Sequence, residues 1–322
     1  MDYENRRLIF CCVSFDKRCK NDEFLFTKST DNTVKNAFWG GEIMAYSGEI
    51  VTSAQNKYVS LARALSERKQ RQKVSLYRFD GVKLMCEATK KGVLIDFLLI
   101  KESAYDVVCD RARELYSIDV GSFSCRTVVV SDAVFDKISE ENAPDGVITV
   151  AKYDKELHGE LVSEELVVKD GEKILLLESV RDPQNVGAIL RTAAAFAVDR
   201  VIMGKDCADI YSSKTLRASM GAVFSMRVDR VESVSAAIGA LRRQKRRVFA
   251  AALDEGARRL GETLFERGDC VVIGNEGHGL SSETIRACDA SVYIPMAEGV
   301  ESLNAAVAAS VLMWEFFGSH RG

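Results

Sequence analysis

Five polar side chains, Asn185, Arg191, Glu276, Ser302 and Asn304, stand at the ends of apolar runs in this 322-residue sequence. They fall in three stretches: Asp182-Pro-Gln-Asn-Val-Gly-Ala-Ile-Leu-Arg191, Ile273-Gly-Asn-Glu-Gly-His-Gly-Leu280 and Ile294-Pro-Met-Ala-Glu-Gly-Val-Glu-Ser-Leu-Asn304. Each stretch places Gly, Asn, Ser, Arg or Glu where an apolar strand gives way to a loop or helix. Strand ends of an open α/β sheet are where a ligand site is built. Of only three prolines, Pro183 and Pro295 lie in these loops.

Each stretch also has a plain structural reading. Asn185 reads as a helix N-cap, Gly187 as a point of close backbone approach, and Arg191 as a residue on the same helix face four positions on. Three glycines at 274, 277 and 279 expose backbone groups to a flat or polar ligand. Glu276 reads as a solvated charge or as a group fixing a ligand or an arginine, and His278 as incidental. The loop lacks the spacing of the dinucleotide fingerprint, and no phosphate-loop motif occurs anywhere. Ser302 reads as the cap of a core helix whose Ala305, Ala306, Ala308 and Ala309 admit a close neighbour.

The elements that must position these residues follow from apolar periodicity. Over 166–322, strands are expected at 173–180, 200–203, 247–253, 270–273 and 291–294, with helices at 186–198, 233–244, 281–288 and 303–317. Continuous apolar strands alternating with helices imply a parallel sheet covered on both faces. Over 49–150 a smaller α/β domain is expected, with a basic helix at 57–71, strands at 76–79, 95–100, 127–130 and 147–150, helices at 81–91 and 105–116, and a turn at 143–146. Residues 151–165 read as a linker or a linking helix. Residues 1–48 read as an extension, with Met44 as the expected functional start and 1–43 dispensable.

Composition narrows the classes. A hydrophobic share of 47% with 28% charged residues suits a soluble cytoplasmic protein. No apolar run reaches the roughly 18 residues of a membrane helix, and residues 8–13 are too short for a signal peptide. Nine cysteines without a C-x-x-C pair read as reduced thiols, and three histidines without metal-ligand spacing argue for no metal. The net charge of −3 is unevenly spread. Residues 57–91 hold ten Lys/Arg against three Asp/Glu, and residues 92–150 hold five against eleven. A second cluster places five cations in Arg242-Arg-Gln-Lys-Arg-Arg247. Each basic run is either a footprint for RNA phosphates or a solvated helix face.

Taken together and in this order, the three stretches resemble the SpoU (TrmH-type) RNA 2′-O-ribose methyltransferases of the SPOUT class. The resemblance runs over 175–316 and includes Arg217-Ala-Ser-Met-Gly-Ala222. Residues 49–150 resemble the ribosomal-protein-like substrate-binding domain fused ahead of such enzymes, on Ile50-Val-Thr-Ser-Ala-Gln-Asn56 and Pro144-Asp-Gly-Val147; Asp80-Gly81 stands where that family has Glu-Gly. The resemblance implies a parallel-sheet α/β methyltransferase domain with a C-terminal trefoil knot, a homodimer, and S-adenosylmethionine held in a bent form. The backbone of Gly274, Ile294 and Leu303 would hold the cofactor, with Leu253 as a further wall. Asn185, Arg191, Glu276, Ser302 and Asn304 would form the catalytic cluster, with Glu276 holding Arg191 or Asn185.

The implied chemistry is methyl transfer to a ribose 2′-hydroxyl. Arg191, always protonated at neutral pH, would orient the hydroxyl and bind the neighbouring phosphate; it would not act as the base. Arg63, Arg68, Lys69, Arg71 and Lys73 would bind RNA phosphates. The layout leans toward ribosomal RNA over tRNA. A non-catalytic RNA-binding or ribosome-assembly protein of the same fold is the alternative in another class.

Overall fold

The computed structural model describes residues 48–161, 166–299 and 302–318. The expected extension at 1–43, with its Met44 start, lies outside them.

The N-terminal half runs β1 (Ile50–Val51), α1 (Lys57–Ala64), α2 (Arg68–Val74), β2 (Leu76–Asp80), α3 (Val82–Lys90), β3 (Ile95–Lys101), α4 (Tyr105–Tyr116), β4 (Arg126–Val130), α5 (Asp132–Ile138) and β5 (Val147–Lys152). Its sheet has the order β1-β4-β3-β5-β2, with β5 antiparallel to both neighbours. The basic helix expected as one piece is two. Leu65 is fully buried and its carbonyl accepts the Arg71 guanidinium at 2.8 Å, which turns the chain before α2 begins. Asp80 is not a surface acid: it is buried, pairs with Arg78 at 2.6 Å and accepts from Ser139 Oγ at 2.9 Å.

The C-terminal half runs β6 (His158–Leu161), β7 (Ile174–Leu177), α6 (Pro183–Ala195), β8 (Arg200–Gly204), α7 (Ser213–Ser219), β9 (Arg227–Val231), α8 (Val234–Arg243), β10 (Val248–Ala251), β11 (Arg258–Arg259), β12 (Cys270–Ile273), α9 (Ser282–Ala287), β13 (Ala290–Tyr293) and α10 (Ala305–Met313), closed by a π-helical turn at Trp314–Gly318. All eight strands are parallel, in the order β11-β13-β10-β12-β7-β8-β9-β6. The two-residue period of β7 shows why both faces are covered. Leu175 and Leu177 pack in one layer with Ile189 and Leu190 of α6, while Ile174 and Leu176 pack in the other with Ile238 and Leu241 of α8.

The expected linker at 151–165 is corrected by β6, which occupies residues 158–161 and pairs in parallel with β9 at the sheet edge. The strand β9 itself had no apolar signature. Its Asp229 is 4% exposed and lies 3.4 Å from Arg200 Nε and 3.2 Å from Arg227 Nε, so a charged-looking strand is buried through ion pairing.

The two halves share one core. Tyr77, Phe79, Leu84 and Ala88 from the first pack with Tyr211, Leu216 and Phe224 from the second. Arg71 reaches Asp209 at 2.6 Å, and Arg217 pairs with Glu141.

Candidate active site

The strand order reverses at β7. From β7 the chain moves outward through β8 and β9, then crosses to β10 and later inserts β12 between β10 and β7. The crevice beyond the carboxyl ends of β7 and β12 is therefore the switch point at which open α/β sheets place ligands. The first and second stretches leave the sheet on its two sides.

After β7, Asp182 caps α6 by accepting from Gln184 N at 2.9 Å, and Pro183 occupies the first turn, where a missing N–H costs nothing. Asn185 is thus not the cap, as expected from sequence; it lies inside the first turn and is 7% exposed. Gly187 has its close-approach role: an added Cβ would lie 2.5 Å from the Thr215 carbonyl oxygen and 2.6 Å from Ala218 Cβ. Any side chain there would push α7 away. Gly187 and Arg191 share a stripe but have different surroundings, since Gly187 is buried against α7 and Arg191 is exposed.

After β12, the loop folds back on itself. Asn275 and Gly279 exchange backbone hydrogen bonds at 3.0 and 2.9 Å, and a Cβ on Gly274 would meet Leu280 N at 2.6 Å. Asn275 fastens this loop to the other side of the crevice. Its Nδ2 donates to the Ser179 carbonyl at 2.8 Å, while its Oδ1 accepts from Gly277 N and His278 N. Ser179 itself sits at φ 58, a left-handed conformation costly for a non-glycine residue. Glu178 accepts from Ser281 N at 2.8 Å and Thr284 Oγ1 at 2.6 Å, which ties the start of α9 to the end of β7.

These contacts bring three expected site residues into one line. Asn185 Nδ2 donates to Glu276 Oε1 at 2.5 Å, and Asn304 Nδ2 donates to Asn185 Oδ1 at 2.9 Å. Asn304 Oδ1 accepts from Ala306 N at 2.9 Å and Val307 N at 3.3 Å, so Asn304, and not Ser302, caps α10. The ends of the line fix both amide orientations. Helix N–H groups only donate and a carboxylate only accepts, so neither amide can turn over without losing bonds at both ends. Glu276 holds Asn185 and not Arg191. Arg191 and Ser302 have no hydrogen-bond or ion-pair partner among the described residues.

The cofactor-binding candidates sit on adjacent strands. Leu253 follows β10, Gly274 follows β12 and Ile294 follows β13, with β10 between the other two. Leu253 is 81% exposed, and Ile294 and Leu303 are half-buried. The backbone N–H groups of Leu253, Ile294 and Leu303 make no hydrogen bond among the described residues. Apolar walls with free main-chain groups fit an adenine ring and an amino-acid tail.

Two other expectations change. Arg71 is 5% exposed and donates to the Leu65 and Ser66 carbonyls and to Asp209, so it joins the halves and is not open to phosphate. Arg63, Arg68, Lys69 and Lys73 are exposed. The 242–247 cluster lies at the opposite ends of the strands. Arg242 binds Asp289 at 2.9 Å, Arg247 binds Asp269 at 2.9 Å, and buried Arg246 donates to the Glu172 carbonyl. Burial pushes the Cys270 thiol up to about 12 and the Cys207 thiol up to about 11, which keeps both protonated and non-nucleophilic.

The chain is similar to known proteins over both halves. Residues 172–314 match the SpoU rRNA Methylase family, and residues 56–149 match the MRM3-like substrate binding domain. An uncharacterized tRNA/rRNA methyltransferase of Synechocystis is 30% identical over 268 residues, covering 82% of this chain and 92% of that protein. The chain belongs to the SpoU rRNA methylase family. Another relative is the 23S rRNA (guanosine(2553)-2′-O)-methyltransferase RlmP of Bacillus subtilis, 28% identical over 83% of this chain and 99% of its own length. Among solved structures of the family, the AdoMet-bound rRNA methyltransferase of Sinorhizobium meliloti superposes with a TM-score of 0.67 at 26% identity. That match covers 83% of this chain and 96% of that one.

Sequence reasoning missed Asp182, Asn275 and Glu178 as positioning residues. Asn275 carried a usable signal, since Asn followed by Glu-Gly is a favoured site for a side chain that turns back onto its own backbone.

Proposed function

We propose that this protein transfers a methyl group from S-adenosylmethionine to a ribose 2′-hydroxyl in RNA, with ribosomal RNA the foremost substrate. The observation that carries this reading is the Glu276–Asn185–Asn304 line at the switch point, with Arg191 exposed further along the helix that carries Asn185. Two relatives named as 23S rRNA 2′-O-methyltransferases support the substrate class.

Gly274, Ile294, Leu303 and the Leu253 wall would hold the cofactor. When bound there it supplies a methyl group already activated by its sulfonium charge, so alignment provides much of the rate. The chain's own residues do the aligning. Asn185 and Asn304 each use one N–H in the line and keep a second, and these aim donors at the ribose oxygen. Arg191 binds the phosphate next to that hydroxyl. Ser302 adds a hydroxyl beside Asn304. Glu276 is the only anionic group of the five, and its second oxygen has no partner among the described residues. That oxygen and an RNA phosphate are the two acceptors open to the departing proton.

Three further readings belong to this proposal. A knotted C-terminus is supported by β12 inserting between β10 and β7, β13 pairing with the far edge of β10, and α10 returning to α6, where Thr192 and Ser310 hydroxyls meet at 3.2 Å. A homodimer is supported by Val307, Val311 and Trp314, which form an exposed apolar stripe at i, i+4 and i+7 of the last helix. RNA phosphates are taken by Arg63, Arg68, Lys69 and Lys73. The deciding experiment is calorimetric titration with S-adenosylmethionine, followed by mapping of ribose protection from alkaline cleavage in RNA from a deletion strain. Cofactor binding with one site lost on deletion is expected. Binding with no lost site would favour a non-catalytic scaffold, and a lost site in tRNA would move the substrate.

A further inference from the structure

A cleft of about 520 Å³ opens where α2 lies over the β6–β9 edge of the C-terminal sheet, away from the methyl-transfer crevice. Its roof carries Arg68 from α2, and its floor carries Glu160 and Arg230, which are paired residues on one face of β6 and β9. Between them lies Tyr153, on the segment joining the two halves. Its half-buried ring lines the cleft and is backed by Tyr211 in a stacked arrangement, with ring centroids 4.0 Å apart and planes at 18°.

The stacked pair is rigidly built. Tyr211 is 5% exposed, its hydroxyl meets His158 Nδ1 at 2.7 Å, and Tyr77 packs against it at 4.5 Å. Arg230 stiffens the adjoining loop by donating to the Lys205 carbonyl at 2.9 Å. By contrast, Arg68 is exposed and has no hydrogen-bond or ion-pair partner among the described residues, and Lys155 beside it is also exposed. An anchored aromatic face with free cations at its rim matches the chemistry of an unpaired nucleotide. The base stacks on the ring and the phosphate meets the cations. The exposed Arg63, Lys69 and Lys73 continue the positive surface from this rim along α1 and α2.

We infer that this cleft receives one unstacked nucleotide of the RNA substrate, with its base against Tyr153 and its phosphate between Arg68 and Lys155. The inference rests on the RNA-methyltransferase reading and adds a second contact to it. The docked nucleotide, held by a part of the fold that does no chemistry, sets the distance along the RNA to the methylated ribose.

The test uses the full chain with a short single-stranded oligoribonucleotide, a fully paired hairpin and a free nucleoside monophosphate as probes. Affinity is read by fluorescence anisotropy, and contact by photo-crosslinking with mass-spectrometric mapping. Single-stranded RNA is expected to crosslink at Tyr153 and to bind more tightly than the hairpin. Tyr153→Leu should weaken it about tenfold, the loss of one stacked base. Arg68→Glu, an exposed change expected to alter stability little, should weaken it comparably, and S-adenosylmethionine affinity should be unchanged in both. Wild-type RNA affinity in Arg68→Glu and Tyr153→Leu, or crosslinks confined to other surfaces, would overturn the proposal while leaving methyl transfer intact. Tight binding of the free monophosphate without any effect of either variant on RNA would likewise overturn it. Absence of methyl transfer by the wild-type protein would instead strike the underlying function.

Discussion

Asn304 and Asn185, 119 residues apart in sequence, are joined by a hydrogen bond of 2.9 Å from the Asn304 amide to the Asn185 carbonyl oxygen. One amide caps the closing helix and the other answers to a carboxylate, so the helix dipole and Glu276 polarise the line from opposite ends. Asn304→Asp separates capping from orientation. An aspartate still caps α10, so stability should change by less than about 1 kcal/mol. It also sets two acceptors against each other at Asn185, and methyl transfer should fall at least about tenfold. Asn304→Ala should lose both, with about 1 kcal/mol of stability. Thermal unfolding together with initial rates reads the split.

Arg191 makes no interaction within the described chain, so its removal should not disturb the fold. Arg191→Ala is expected to leave the melting temperature and S-adenosylmethionine affinity near wild type while abolishing methyl transfer. Arg191→Lys should remain poor, since a point charge does not replace a planar fork. Wild-type turnover in either variant would remove Arg191 from the mechanism.

Glu276→Gln keeps an oxygen for the Asn185 amide and removes only the charge. If the free carboxylate oxygen takes the ribose proton, the rate should drop about a hundredfold or more with cofactor affinity retained. Near-normal single-turnover rates would assign the proton to RNA phosphate.

Arg71 and Asp209 form a largely buried pair between the two halves. Arg71→Met leaves a carboxylate without its partner and should destabilise the protein by about 3–5 kcal/mol, as denaturant titration would show. Lys69→Glu, on the exposed face of the same helix, should leave stability alone and weaken RNA binding, with a shallower salt dependence.

His158 gives the stability a pH dependence. Its Nε2 faces the Val223 and Met226 carbonyls at 3.0 and 3.1 Å, so Nε2 carries the proton and Nδ1 accepts from Tyr211. Desolvation by burial lowers its pKa, although the two carbonyls oppose that shift. The unfolded imidazole therefore takes up a proton at a pH where the folded one is still neutral. This contribution to stability is full above about pH 6.5, the unfolded value, and is lost as pH falls below it. Denaturant midpoints across this range should show an acid-side loss that His158→Gln diminishes.

The sequence alone determined the layered α/β plan, because buried parallel strands are continuous apolar runs and β7, β8 and β12 read as such. It also supplied the identities of Asn185, Glu276 and Asn304, whose residue types and order were legible as three strand-end stretches. Tertiary structure decided what those residues do. Asp182 took the cap expected of Asn185, and Asn304 took the one expected of Ser302, because capping depends on which side chain the backbone brings within reach. Arg71 left the RNA-binding set because Asp209, far away in sequence, accepts its charge. The charged strand β9 and the edge strand β6 were illegible for the same reason: ion pairs and sheet edges are satisfied by partners that no local period encodes.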